Sequence, residues 1–179
     1  MRHRGKLIKA LGVVLVLFAV MIVSSFPAKA TPPSNIAFTP VGRATVPEFD
    51  VKRKDKAVEK ADDFEIRLET RQPIDIATQI VTFQPGGYSG WHTHPGPVYF
   101  TVKTGELTVY EGDDPTCKAM IFTAGMGAVE AGSSSHIHMV RNETGSVAEA
   151  VVTYMVPVGT PQAKLRSDRD APIPNYCGF

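Results

Sequence analysis

Short runs of strand-forming residues, separated by turn residues, constrain the fold of this chain most. Phe64, Ile66 and Leu68 alternate with charged residues, which is the period of a half-buried strand. Further strand-like runs, each ended by Gly or Pro or by a polar stretch, lie at 74–83, 98–102, 107–110, 120–122 and 147–156. No stretch after residue 30 has a convincing helical period. Such a series of short strands predicts an all-β sandwich or closed barrel.

The first thirty residues have the features of a secretory signal peptide. A basic start over residues 2–9 precedes an apolar run from Ala10 to Val23, and Ala28-Lys29-Ala30 fits the small-x-small cleavage pattern. The apolar run is about 14 residues long, whereas a spanning helix needs about 20. We therefore expect cleavage, a secreted or periplasmic protein, and no stable membrane span afterwards. An uncleaved signal that anchors the chain in the membrane is the alternative.

Removal of the signal changes the charge balance of the protein. The first thirty residues hold five of the nineteen Lys and Arg residues and none of the eighteen Asp and Glu residues. The remaining chain therefore has fourteen basic and eighteen acidic residues, with no basic cluster to attract phosphates. We expect no nucleic-acid partner. The length that remains suits one domain of ordinary size.

Two cysteines, Cys117 and Cys177, remain after the signal. An even number of cysteines in an exported protein favours a disulfide, which would close a loop of about 60 residues. This bridge would pin a C-terminal tail, residues 161–179, to the turn that carries Cys117. The alternative, that both cysteines are metal ligands, is disfavoured because neither has a neighbouring Cys or His in sequence.

Four histidines after the signal form two His-x-His pairs, His92 with His94 and His136 with His138. Residues i and i+2 of a strand point to the same face, so each pair can aim both imidazoles into a barrel. Imidazole is a common ligand of iron, manganese, zinc, nickel and copper. The pairs predict a site for a divalent transition metal of one of these kinds. Structural histidines with backbone partners are the alternative.

The spacing around the first pair resembles the first motif of the cupin family. That motif runs Gly, five residues, His-x-His, three or four residues, Glu, six residues, Gly. Here five residues separate Gly86 from His92, and Gly105 stands at the final position. Val98 occupies the place of the Glu at the three-residue spacing.

The second pair is similar to the second cupin motif, in which a Pro-x-Gly precedes a His that three residues separate from an Asn. His138 stands at this spacing before Asn142, while Glu130 replaces the proline ahead of Gly132. The distance from Gly132 to His138 is a few residues longer than in the family. The Asn spacing makes His138 the family's ligand and His136 an additional candidate.

The resemblance implies a single small jelly-roll β-barrel of the cupin kind over residues 64–160. It places an extended or linker-like segment, 31–63, before the barrel and the tail, 161–179, after it. The implied metal ligands are His92, His94 and His138, with His136 as a candidate fourth. With Val98 in place of Glu, the site would have three neutral ligands, so the ion would attract anionic ligands.

The function that we expect is that of an exported, cupin-like metal-binding protein acting on a small molecule, in an oxygenase-type or isomerase-type reaction. A non-catalytic module that binds a small ligand or metal is the alternative, and a structural cupin without metal is a third. Catalytic residues are not specified, because Glu130 and Tyr99 could act as acid or base but also suit exposed strands. Arg141 is a candidate for anion binding, and a homodimer is an open possibility.

Overall fold

The structure, a computed structural model, describes residues 31–55, 64–133 and 135–179. The expected signal peptide, 1–30, lies outside the described residues. Within them, the only helical element is a 3-10 turn at Gln162–Lys164, and no helix is long and apolar enough to cross a membrane. The strands are β1 Ser34–Val46, β2 Phe49–Asp55, β3 Phe64–Thr70, β4 Ile74–Tyr88, β5 His92–Thr93, β6 Val98–Thr104, β7 Glu106–Glu111, β8 Met120–Thr123, β9 Gly127–Glu130, β10 His138–Arg141, β11 Ala148–Pro157 and β12 Ser167–Asp168.

Ten of these strands form one antiparallel sheet that nearly closes into a barrel. The long strand β4 pairs with β1 and β11, and the order continues from β11 to β6 and β9. On its other side, β4 meets β10, which also pairs with β5 and β7. Strand β8 pairs with β7, and β12 pairs with β5. The expected all-β jelly-roll barrel is confirmed.

Alternate side chains of the central strands fill the barrel. Along β4, every second residue from Asp75 to Phe83 is buried, as the two-residue period of a strand requires. The largest apolar cluster combines residues of β4, β6, β7 and β11, namely Val81, Phe83, Phe100, Val102, Leu107, Val109, Ala148 and Ala150. This cluster fixes the strands from which the polar site described below is built.

The segment 31–63, expected to be extended or linker-like, contributes a strand to the barrel sheet. Strand β1 pairs with β4 along almost its whole length. Most of its side chains are exposed, so the pairing depends on backbone hydrogen bonds, which leave no hydrophobic alternation in the sequence. The carboxylate of Asp75 on β4 reinforces it, accepting hydrogen bonds from Arg43 Nη2 at 2.5 Å and Thr45 Oγ1 at 2.6 Å.

The alternation over 64–68 predicted a strand, and the structure has β3 there. This strand lies outside the barrel sheet. It pairs with β2 in a separate two-stranded sheet. Phe64 and Ile66 are 53% and 38% exposed, so the half-burial that the alternation implied is not reached. The alternation therefore indicates the strand correctly but not its packing partner.

Asn142, which follows β10, connects the end of that strand to β4 and to the turn before β11. Its side chain is buried, and Nδ2 donates to the carbonyl oxygens of Phe83 at 3.1 Å and Ser146 at 2.7 Å. Its Oδ1 accepts from the backbone N–H of Thr144 at 3.0 Å. The amide therefore satisfies buried backbone groups and holds the register of the strand that begins with His138.

The expected cysteine pair is confirmed at disulfide distance, since the Cα atoms of Cys117 and Cys177 are 5.1 Å apart. The C-terminal tail, which carries Cys177, lies against the barrel. The ring of Phe179 stacks on Trp91, with centroids 6.1 Å apart, and Trp91 Nε1 donates to the carbonyl of Phe179 at 3.0 Å. Because Trp91 is fully buried and precedes His92, the tail supports the wall of the polar site.

Candidate metal centre

The structure brings His92, His94 and His138 together inside the barrel. His92 begins β5 and His138 begins β10, and these two residues face each other as an antiparallel pair. All three side chains are buried, and one ring nitrogen of each lies within 4.8 Å of the other two. Such a convergence of imidazole nitrogens can hold a metal ion.

Backbone carbonyls orient two of the three rings. Nδ1 of His92 lies 2.9 Å from the Gly90 oxygen, and Nδ1 of His94 lies 2.8 Å from the Leu165 oxygen. A carbonyl can only accept, so Nδ1 carries the hydrogen in each ring and Nε2 keeps its lone pair. Outer hydrogen bonds of this kind orient metal-ligating histidines in known sites.

His138 has no such partner, since neither of its buried ring nitrogens makes a hydrogen bond within the described part of the chain. A buried polar atom without a partner costs free energy, so it needs an explanation. Coordination of a cation by one of these nitrogens supplies one. The donor set therefore fits a transition metal ion.

The electrostatic environment keeps His92 in the form that binds metals. Burial, followed by the charges of His138, His94 and Arg166, holds the pKa of His92 well below its ordinary value. The ring is therefore neutral, and the lone pair of Nε2 is available to a cation.

Glu130, at the end of β9, adds a carboxylate to the cluster. Its Oε2 lies 3.2 Å from Nε2 of His94 and 3.2 Å from Nε2 of His138, and the residue is only 9% exposed. Burial raises the pKa of Glu130, but contacts with His138 and His94 lower it by more. The pKa of this carboxyl therefore lies below its ordinary value. From the sequence, Glu130 suited either an acid or base role in the site or an exposed position on a strand. The structure places its side chain beside the histidines.

The structure places Glu130 on the inner face of β9. Val129 is 62% exposed, whereas Ala128 and Glu130 point to the other face of the strand. Glu130 also pairs directly with Val98 of β6, the position where the family motif has its Glu. Val98 itself is buried and packs with Tyr154 and Leu165.

His136 lies beside the cluster and not within the group of three. Its ring centroid is 5.2 Å from that of His138, and its Nε2 lies 3.4 Å from Oε2 of Glu111. The side chain is 29% exposed, in contrast with the buried rings of the group.

A cavity of about 50 Å³ opens beside the histidines. Its wall is largely apolar, with Val81, Phe83, Phe100, Leu107, Val140, Ala150 and Val152 among the lining residues. The polar residues that line it are Ser89, His92, His94, Glu130, Tyr154 and Arg166. Burial raises the pKa of Tyr154, so its hydroxyl stays protonated, and it accepts a hydrogen bond from Gln79 Nε2 at 2.7 Å.

Arg166 supplies the cationic side chain of this cavity, a residue that the sequence did not single out. Its Nη2 donates to the Ser89 carbonyl at 2.5 Å, and its Nη1 lies 2.7 Å from Asp168 Oδ1. Its buried Nε has no hydrogen-bond partner among the described residues. Arg141, the candidate from the sequence, pairs instead with Glu143 and lies over the ring of Phe179.

Comparison with known proteins agrees with this architecture. The family model described as "Cupin domain" matches residues 79–154, which include all three clustered histidines and Glu130. A search of the curated proteins found no match.

Among solved structures, a recombinant oxalate oxidase in complex with glycolate is 27% identical, with 44% of this chain and 40% of that chain covered and a TM-score of 0.38. The protein TT1209 from Thermus thermophilus is 27% identical over 46% of this chain and 74% of that one, with a TM-score of 0.39. The DMSP lyase DddQ from Ruegeria pomeroyi is 20% identical over 48% and 41% of the two chains, with a TM-score of 0.41. This chain thus spans less than half of the oxalate oxidase and of the lyase.

Proposed function

We propose, since this chain belongs to the cupin family, that it holds a divalent transition metal at His92, His94 and His138 and acts with it on a small anionic molecule. The convergence of three buried imidazoles on one point carries this proposal. When bound, such an ion supplies Lewis-acid chemistry, polarising a ligand or water in its open positions. The chain itself orients the rings through the carbonyls of Gly90 and Leu165.

The size and polarity of the cavity support a small substrate. A volume of about 50 Å³ has room for about four water-sized groups, each needing about 10–15 Å³. The apolar wall suits a short hydrocarbon part, and Arg166 suits a carboxylate or a similar anion. We infer that the ligand is a carboxylate of two or three carbons.

The reaction is of the oxygenase or isomerase type in this proposal, and a non-catalytic binding module is the second candidate. The small cavity favours the second candidate as much as the first, because it suits a bound anion without further chemistry. Oxygen consumption by the iron-loaded protein, measured with two- and three-carbon carboxylates, distinguishes an oxygenase from an isomerase-type enzyme and from a binding module. Conversion of the same acids without oxygen consumption would indicate the isomerase type, and binding without conversion the module.

Metal content of the purified protein tests the centre directly. We expect close to one zinc, iron, manganese, nickel or copper ion per chain, because the described structure contains one such histidine cluster. Elemental analysis, followed by titration of the metal-free protein with Zn²⁺, gives the stoichiometry. A protein that takes up no transition metal at neutral pH would contradict the proposed function.

The role of Arg166 in anion binding has its own test. We expect zinc-loaded wild-type protein to bind acetate more tightly than the neutral isostere acetamide. The Arg166→Gln variant should bind acetate about tenfold more weakly, because a charge-assisted hydrogen bond is lost. Isothermal titration calorimetry measures both constants.

Arg141→Gln is the matched control, since Arg141 has a carboxylate partner, as Arg166 does, but does not line the cavity. Its acetate affinity should equal that of the wild type. Equal affinities of wild type and Arg166→Gln would rule out Arg166 as the anion-binding residue.

Export is the remaining part of the proposal. The cysteine pair at disulfide distance is typical of an oxidising compartment, which a secreted or periplasmic location provides. This agrees with the signal peptide expected at 1–30.

A further inference from the structure

We infer that Glu130 is the fourth protein ligand of the metal centre, so that the carboxylate absent from position 98 is supplied by the neighbouring strand. The inference rests on the proposed function, because it concerns the same ion as the three histidines. It changes the proposed centre from three neutral ligands to three neutral ligands and one anion.

The distances around Glu130 are those between ligands that share one ion. Ligand atoms that each lie about 2.1 Å from a metal are about 3.0–3.4 Å apart, for angles from 90° to tetrahedral. Oε2 of Glu130 lies 3.2 Å from Nε2 of both His94 and His138. Nδ1 of His94 carries the hydrogen that faces the Leu165 carbonyl, so the Nε2 of a neutral His94 has none to donate to Oε2. The spacing of Oε2 from both nitrogens is therefore that of ligands of one ion.

Burial gives a second reason to expect a cation at this point. A carboxylate that is taken out of water needs a compensating charge. Among the described residues, the ion-pair partners of Glu130 are the two imidazoles, and neither Arg nor Lys contacts it. Both imidazoles are needed as neutral ligands once a metal binds, and the ion then takes over the compensation.

The pairing of β6 with β9 explains how a carboxylate on β9 can replace one on β6. Val98 of β6 and Glu130 of β9 are directly opposite in the antiparallel register. Side chains of such a pair project from the same face, with Cβ atoms about 4.5–5.5 Å apart. A long glutamate at position 130 can therefore reach the region that a glutamate at position 98 would occupy. The two positions are alternatives for one ligand.

Glu130→Gln tests the inference, because it removes the charge and keeps the shape of the side chain. We expect its affinity for Zn²⁺, measured by competition with a chelator, to fall at least about 100-fold, the upper range for loss of an outer-shell partner. With Co²⁺ in place of Zn²⁺, the visible absorption bands should shift, because they report the ligands of the ion. Neither readout needs a substrate.

Glu111→Gln is the matched control. Glu111 is also partly buried and lies next to the cluster, 3.4 Å from Nε2 of His136. Its loss should leave the Co²⁺ bands unchanged and the Zn²⁺ affinity within about threefold, since an ion pair at a partly exposed site contributes little. Circular dichroism and melting of the metal-free proteins verify folding. If Glu130→Gln does not fold, Glu130→Asp, which withdraws the carboxylate by one methylene, should show the same spectral shift.

The outcomes separate this inference from the proposed function. Tight Zn²⁺ binding by the wild type with unchanged affinity in Glu130→Gln would overturn the inference alone. Weaker binding with unchanged Co²⁺ bands would also overturn it, because Glu130 would then act only through its charge. A wild-type protein that binds no metal would overturn both.

Discussion

His138→Ala is expected to abolish metal binding at micromolar concentrations, with a loss of affinity well above 100-fold. The ring is buried and central to the cluster, and loss of a direct ligand should exceed the 10- to 100-fold typical of outer-shell changes. Apart from the 3.2 Å contact of Nε2 with Glu130 Oε2, the ring has no polar partner among the described residues. Reduced Zn²⁺ affinity would therefore report lost coordination. Competition with a chelator measures it.

His136→Ala is the control for this experiment. His136 is the other member of the same His-x-His pair, but it is partly exposed and interacts with Glu111. We expect its Zn²⁺ affinity to stay within about threefold of the wild type, as for other exposed ion pairs. Equal losses in the two variants would mean that His136 is a ligand and that the group of three is incomplete.

Loss of the Cys117–Cys177 bridge should lower the free energy of unfolding by about 4 kcal/mol and the melting temperature by about 10 °C. The bridge spans 60 residues, so it restricts the unfolded chain strongly. Thermal melts of metal-free wild type and of the Cys117→Ser/Cys177→Ser variant measure the difference.

Wild-type protein treated with a reductant is the control, and it should melt together with the double variant. The bridge also holds the tail on Trp91, next to His92, so we expect the variant to bind Zn²⁺ more weakly. A variant that melts within about 2 °C of the oxidised wild type, less than a 1 kcal/mol change would give, would show that contacts other than the bridge hold the tail.

The barrel was predictable because its central strands are buried on one face. Residues 74–83 and 147–156 have the required apolar pattern, and both are barrel strands. Strand β1 was not predictable in the same way, because exposed side chains leave its pairing to backbone hydrogen bonds, which have no sequence signature. For β3, alternation defined the strand, but nothing local defines which sheet it joins.

The site was predictable as far as spacing alone determines it. The i, i+2 positions of His92 and His94 and the spacing from His138 to Asn142 identify three residues that the structure brings together. Glu130 and Arg166 were not predictable, because their proximity depends on the β6–β9 register and on the path of the chain after β11. A motif read along one strand does not contain a ligand supplied by the opposite strand.

The segment after β11 links the proposed binding of an anion to the proposed binding of the metal ion. Leu165 orients His94 through its carbonyl, and the next residue, Arg166, lines the cavity. Leu165 and Arg166 share one peptide unit, so in the proposed function an anion that displaced Arg166 would also displace the carbonyl that positions His94. Linkage is reciprocal, so an anion that tightens metal binding must itself bind more tightly to the metal-loaded protein by the same factor. If the proposed function holds, the apparent metal affinity should therefore depend on anion concentration.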